Sequence, residues 1–159
     1  MSIRCYIPTT LSALGSGLGT VTAVTPDAQG RALSGDELEA LEFDAMCIAA
    51  AFAASMSFES GDADRADSDA EFSPRAVVAY DAPEAGAGRE LSAGFELLTL
   101  SAVEMTRIAS IHLDEAEVWN EAARLARETG SAEAEDLLGE SDLLWYDATE
   151  LPELLRELG

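Results

Sequence analysis

The sequence predicts an α+β fold with α/β-like character: a single domain over residues 1–159, in which helices cover a mixed sheet of five or six strands. Three observations lead to this prediction. Strand-type runs and helix-type periods alternate along the first half of the chain. Residues 34–57 have the pattern of one long central helix. Three strand-type runs then follow one another between 75 and 113, which indicates some antiparallel pairing.

The first strand is expected at residues 3–7, where Pro8 ends an alternating run. Thr9 or Thr10 can cap a short helix, and a second strand follows at 21–24. Roughly a dozen residues separate these two strands, which is about the minimum for a parallel crossover. The length of this connection therefore leaves parallel pairing of the two strands open.

The central helix at 34–57 has the clearest pattern in the chain. Ser34 and Glu37 form a capping box, in which each side chain bonds the backbone of the other residue. From Ala45 onward almost every side of the helix is apolar, so several neighbours are expected to bury this half. The apolar residues that recur at the helical period are Leu38, Leu41, Ala45, Ile48, Phe52 and Met56.

The second half of the chain begins with an apolar strand at 75–80, which suits a central position in the sheet. Residues 81–94 contain Pro83 and three glycines and are expected to form a flexible loop. Asp114 is expected to cap a helix that Gly130 ends. Further strands are expected at 95–100 and 108–113, and residues 143–146 are expected to form a strand or an extended anchor. The remaining helices are expected at 131–138 and 149–158.

The charge of the chain is strongly unbalanced, with 31 acidic and 9 basic residues and a formal net charge of -22. All the basic residues are arginine. Direct binding to nucleic acid is disfavoured, because it needs cationic side chains that release counterions, and an anionic membrane surface is disfavoured for the same reason. A basic protein partner is compatible with this charge. Genome composition or adaptation to salt would produce the same imbalance.

An acidic run at 59–73 is the most polar part of the chain, and we expect it to form a mobile, solvated loop. A calcium loop that began at Asp62 would need glycine at its sixth position and glutamate at its twelfth, and Asp67 and Ser73 stand there. No metal site is predicted. The run can instead offer an anionic binding surface, together with the acids at 115 and 117. The candidate binding acids are Asp62, Asp64, Asp67, Asp69, Glu71, Glu115 and Glu117.

His112 is the single histidine and lies at the end of a predicted strand, close to Ser110 and Asp114. A histidine near acids could act as a general base or bind a metal, and strand ends often carry such sites. These three residues are therefore the candidate catalytic residues. The alternative is a structural histidine that a nearby acid satisfies, which is the more common role.

Trp145 and Tyr146 are candidate binding residues, since adjacent aromatic side chains next to a charged loop can anchor a partner. More often such a pair fixes a terminal segment to the core. Arg4, Arg75 and Arg107 lie in or beside predicted strands. Each could pair with an acid, or the three could line a site for an anionic ligand.

Several features predict a cytoplasmic protein. The N-terminal residues lack the apolar stretch of a signal peptide, and the most apolar window, 45–56, is too short to span a bilayer. Cys5 and Cys47 are far apart and are expected to be buried, reduced thiols. No cofactor is predicted, because the glycines at 15–19 lack the spacing of a dinucleotide loop and the lysine of a Walker loop. The oligomeric state is left open.

Six segments stand out along the chain: 6–11 (YIPTTL), 23–26, 36–42, 75–79 (RAVVA), 108–114 (within a run that continues as SIHLDEAE) and 144–151 (within LLWYDATEL). On these segments the chain resembles a small uncharacterised family of actinobacterial proteins, a domain of unknown function. The resemblance implies a cytoplasmic, single-domain protein from a high-GC bacterium and favours genome composition as the origin of the charge. It implies no activity, ligand or catalytic residue.

Three functional hypotheses follow from the sequence. The first is a non-enzymatic cytosolic protein-binding domain with an acidic surface around 59–71 and 114–121. The second is a small hydrolase or metal-dependent enzyme centred on His112 and Asp114. The third is a nucleic-acid mimic, in which carboxylates reproduce the spacing of phosphates.

Overall fold

The computed structural model describes residues 3–59, 72–83 and 88–158. Within these residues the chain forms seven strands and six α-helices. The strands are β1 (Ile3–Thr10), β2 (Val21–Pro26), β3 (Arg75–Ala82), β4 (Gly88–Ser92), β5 (Phe95–Leu100), β6 (Ile108–Leu113) and β7 (Leu144–Asp147). The helices are α1 (Leu11–Ser16), α2 (Ala28–Arg31), α3 (Gly35–Glu59), α4 (Ala116–Glu128), α5 (Ser131–Gly139) and α6 (Leu151–Leu158).

The seven described strands form one open sheet in the order β4-β5-β2-β1-β3-β6-β7, and every neighbouring pair is antiparallel. The prediction of a mixed sheet of five or six strands is therefore wrong, both in the number of strands and in their relative direction. β1 and β2 pair antiparallel, with Tyr6 opposite Val24. A parallel return would need a connection about as long as β1, roughly 26 Å. Ten residues, 11–20, connect the two strands, and six of them form α1. Together they span at most about 23 Å, from about 1.5 Å per helical residue and about 3.6 Å per extended residue, so the chain turns back at the same end of the sheet.

β4 is the strand that the sequence did not predict, because it lies in the glycine-rich segment expected to be a flexible loop over 81–94. The structure continues β3 through Ala82 and pairs β4 with β5 in a hairpin. Gly94 has a φ of 92° in the turn between them, a conformation that glycine adopts without a steric penalty. Residues 84–87 lie outside the described residues.

The long central helix is confirmed as α3, which packs across one face of the sheet. Its contact residues are alanines: Ala45, Ala49 and Ala53 are fully buried against a cluster that includes Val24 and Val77. Small side chains at three successive turns let the helix axis lie close to the strands. The opposite face of the sheet is covered by α1 and α6, whose leucines pack on the other strand side chains.

A third cluster joins the end of α3 to α4 and α5. The rings of Phe58 and Trp119 stack with centroids 5.6 Å apart, and Phe72 meets Phe58 edge-on at 5.2 Å. Phe72 is half-buried, although it falls in the predicted mobile loop at 59–73. Residues 60–71 lie outside the described residues. They include five of the candidate binding acids, and their expected mobility stays a prediction.

α3 is apolar over more of its surface than the fold covers. By length and composition the span Gly35–Phe58 meets the criteria for a helix that could cross a membrane, although core helices meet them too. Its alanines pack on the sheet as those of a core helix do. Yet only 39% of its most apolar window is buried, and Phe43, Phe52 and Met56 are exposed. The expectation that several neighbours bury this half of the helix is therefore only partly met.

Candidate functional site

A groove of about 630 Å³ runs between α3 and α5 and continues to the segment that leads into β7. α3 forms one wall, and the second wall is formed by the end of α5 and residues 141–143. The volume falls within the range of about 300–1,000 Å³ that is typical of ligand pockets. The apolar side chains that line it include Phe43, Met46, Ala50, Ala51, Leu138 and Leu143.

The rim of this groove is acidic. Glu135, Asp136 and Asp142 line it, and Ser55 on α3 donates a hydrogen bond of 2.6 Å to Glu135 on α5. Among the described lining residues Arg75 is the single basic one, and it is buried. An apolar surface bordered by carboxylates attracts cationic ligands that carry apolar groups, and it repels anions.

Arg75 joins the sheet to both walls of the groove. Its guanidinium forms a bidentate ion pair with Asp114, at 2.7 and 2.8 Å. It also donates to the carbonyl of Ala50 on α3 at 3.2 Å and to that of Leu138 on α5 at 2.8 Å. The two charged side chains are 3% and 0% exposed. The arginine therefore fixes the positions of the groove walls.

The position of Asp114 differs from the prediction that it caps α4. Glu115 is the residue at the N-cap position, and both carboxylate oxygens of Asp114 accept from Arg75. Arg4 and Arg107 likewise pair with acids, with Asp81 and Glu104 respectively, each at 2.7 Å. The three arginines lie in separate ion pairs, which matches the first of the two alternatives that the sequence left open.

Ser110 and His112 are brought together: the serine Oγ and the histidine Nε2 lie 2.9 Å apart on the same side of β6. Burial lowers the pKa of His112, so the imidazole is neutral near pH 7. A serine–histidine hydrogen bond is the contact that a nucleophile and its base use. Here, however, the two residues are only 5% and 8% exposed, and the Asp114 carboxylate is held by Arg75. The candidate catalytic residues are thus placed as a buried pair and a separate ion pair.

The predicted binding residues lie at two places. Glu115 and Glu117 are exposed at the start of α4, beside a second cavity of about 630 Å³ whose lining mixes Arg127 with Asp114 and Glu157. Trp145 is 65% exposed at the edge of the sheet. Its neighbour Tyr146 is partly buried against the core beneath α6. Of these two aromatic residues, the tyrosine is therefore the one that packs against the core.

The two cysteines have different environments. Cys5 is buried within β1, and burial raises the pKa of its thiol to about 12. Cys47 is exposed and lines the groove, which corrects the expectation that both thiols are buried. Partial burial and the nearby Asp44 and Asp142 raise the pKa of the Cys47 thiol. Both thiols are therefore protonated near neutral pH.

Sequence reasoning missed the groove, because its two walls come from segments that are far apart in the chain. One signal was present: an apolar surface on every side of α3 is more than one sheet face can cover. The acids of α5 carried no signal of their own, since they resemble any solvated helix face. No group of three or more histidine, cysteine or acidic residues suited to a metal ion occurs within the described part of the chain.

Comparison with known proteins gives one match. The model of DUF6912, described as a family of unknown function, matches residues 3–155. No curated protein and no solved structure matches the chain significantly. Because the matched segment includes nearly every residue, the chain belongs to DUF6912, a family of unknown function.

Proposed function

We propose that this protein is a non-enzymatic binding domain, which holds a basic, amphipathic helix of another protein in the groove between α3 and α5. The observation that carries the proposal is the apolar lining of the groove together with its acidic rim. An amphipathic helix presents an apolar stripe flanked by polar residues, so its stripe would meet Phe43, Met46 and Leu143. Its basic flanks would meet Glu135, Asp136 and Asp142.

The energetics require both parts of this surface. Burial of one leucine-sized anchor contributes about 1.5–3 kcal/mol, so two anchors fall short of the roughly 8 kcal/mol that micromolar binding represents. Association also costs translational and rotational freedom. Attraction between a basic helix and a chain of net charge -22 can supply part of the remainder and speeds encounter. Binding should therefore weaken as salt concentration rises.

The proposal includes a location and an origin. We propose that the domain acts in the cytoplasm, where its two free cysteines stay reduced. The use of arginine without lysine supports an actinobacterial source with a GC-rich genome.

A designed helical peptide tests the proposal. The probe is a fluorescein-labelled peptide of leucine and arginine with one apolar stripe, and the control has the same composition in an order that removes the stripe. Fluorescence anisotropy at low and high salt measures the affinity. We expect the striped peptide to bind at least roughly tenfold more tightly, a difference of about 1.4 kcal/mol. Equal binding of the two peptides would show that charge alone attracts them.

Two substitutions test whether the striped peptide binds in the groove. Ala51 is exposed and lines the groove, so Ala51→Arg introduces bulk and positive charge there. Ala28 is exposed on α2 and is not among the groove residues, so Ala28→Arg makes the same change of charge elsewhere. We expect only Ala51→Arg to weaken binding of the striped peptide. An equal loss in both variants would contradict the groove as its site.

A further inference from the structure

We propose that the outer edge of β7 is a second docking surface, which accepts an extended basic segment of a partner protein as an added strand. This inference goes beyond the groove, because it uses a different element and main-chain pairing. β7 is the last strand of the sheet, and among the described residues it pairs only with β6. In an antiparallel pair alternate residues direct their N–H and C=O groups away from the partner. The N–H of Asp147 donates to the Glu150 carboxylate at 2.8 Å, so Trp145, two residues before it, is the residue of β7 that presents its N–H to an added strand.

The two edges of the sheet differ in their protection. β4, at the opposite edge, exposes the charged residues Arg89 and Glu90 and has a register shift between Glu90 and Ser92. Charges and bulges are the devices by which proteins prevent strand addition. β7 pairs in continuous register with β6 and exposes Leu144 and Trp145, at 38% and 65%. β7 has only four residues and ends in the exposed acid Asp147, but it has no register shift, so β7 is the less protected of the two edges.

The charge around β7 identifies the kind of partner. Residues 140–155 contain five acids and no basic residue. Four of the acids lie on the two sides of the strand, and Asp147 is its last residue. A basic segment would gain from this field. A second copy of this chain would instead bring one net charge of -22 against another, so self-association through β7 is disfavoured. The acids are Glu140, Asp142, Asp147, Glu150 and Glu153.

The side chains of β7 predict the pattern of the added strand. Trp145 lies opposite His112, and Leu144 lies opposite Leu113, so Trp145 and Leu144 point to opposite faces of the sheet. An arginine beside the exposed indole would make a cation–π contact. An apolar residue would pack beside Leu144 on the other face. The partner segment should therefore alternate basic and apolar residues.

A short peptide tests this pairing directly. The probe is the capped hexapeptide Arg-Val-Arg-Val-Arg-Val, and the control is the same peptide methylated at every backbone nitrogen, which keeps its charge but removes its N–H donors. Amide hydrogen exchange is measured by NMR on the whole protein with each peptide. We expect the unmethylated peptide alone to slow exchange at the amide of Trp145, which points away from β6. Equal protection by both peptides, or protection only at the groove, would overturn the proposal.

Variants separate this site from the groove. We expect Trp145→Ala to weaken hexapeptide binding at least roughly tenfold, as loss of an aromatic anchor does. Met105 is also large, apolar and exposed, and Met105→Ala should leave binding unchanged. Ala51→Arg, which blocks the groove, should leave hexapeptide binding unchanged as well. Failure of Trp145→Ala to weaken it, or a protein dimer in sedimentation that this substitution dissolves, would contradict a basic strand as the occupant.

Discussion

Replacement of Arg75 by methionine is expected to lower the free energy of unfolding by about 3–5 kcal/mol, since it leaves the buried Asp114 carboxylate without its partner. The structure supports the upper part of this range. The lost ion pair is bidentate, with 3% and 0% exposure, and two further hydrogen bonds to Ala50 and Leu138 disappear with it. The Leu138 carbonyl keeps one partner, the N–H of Ser141 at 3.1 Å, so most of the penalty comes from the stranded charge.

Urea denaturation followed by tryptophan fluorescence measures this loss. The free energy of unfolding of an ordinary domain is about 5–15 kcal/mol. At the lower end of this range, the substitution Arg75→Met would populate the unfolded state even without denaturant. The double variant Arg75→Met with Asp114→Val keeps the test decisive, because removal of both charges also removes the stranded carboxylate. We expect it to be more stable than Arg75→Met alone. Arg4→Met is the matched control: its ion pair with Asp81 is 40% and 36% exposed and should contribute about 0–1 kcal/mol.

Two results would refute the reasoning. A loss below about 1 kcal/mol in Arg75→Met would place the pair among solvated surface pairs. A double variant no more stable than Arg75→Met would show that the stranded carboxylate is not the cause of the loss.

Two more predictions concern the pH dependence of stability and the β4–β5 turn. Burial lowers the pKa of His112 in the folded state, so its contribution to stability is fully present above the unfolded value of about 6.5 and is lost as pH falls through and below it. The free energy of unfolding is measured by urea titration at two pH values, one unit above and one unit below about pH 6.5. It should fall less between them in His112→Gln than in the wild type, and an equal fall in both proteins would contradict the prediction. Gly94→Ala should cost about 1–2 kcal/mol, because alanine is strained at a φ of 92°. Gly139→Ala, where an added Cβ meets open space, should cost nothing measurable in the same assay.

Local sequence patterns were sufficient to predict the helices and strands whose conformation depends mainly on their own residues. The capping residues and apolar period of 34–57 correctly predicted α3, and apolar runs correctly predicted β3, β6 and β7. β4 was missed because its residues, Gly88–Ser92, have no strand propensity of their own and are held by pairing with β5. Strand direction was also missed, because it depends on where a connection runs in space and not only on its length.

At the candidate site, too, the sequence predicted some features, and others depended on the tertiary structure. The sequence identified Arg75 as a residue that could pair with an acid, and it brought Ser110 and His112 to attention as neighbours. It could not identify Asp114 as the partner of Arg75, since 39 residues separate them. That pairing arises because Ala76 on β3 lies opposite Leu113 on β6, next to both charged residues.

By itself, the sequence determined the excess of acids, the long apolar helix and most of the strands, because composition and short-range periodicity are properties of the chain. Only the tertiary structure decided that the described sheet is antiparallel, that Arg75 bonds to both groove walls, and that β7 is an edge strand of that sheet. These features depend on contacts between segments distant in the sequence. Such contacts form when the core excludes water, and no local pattern records which segments will meet.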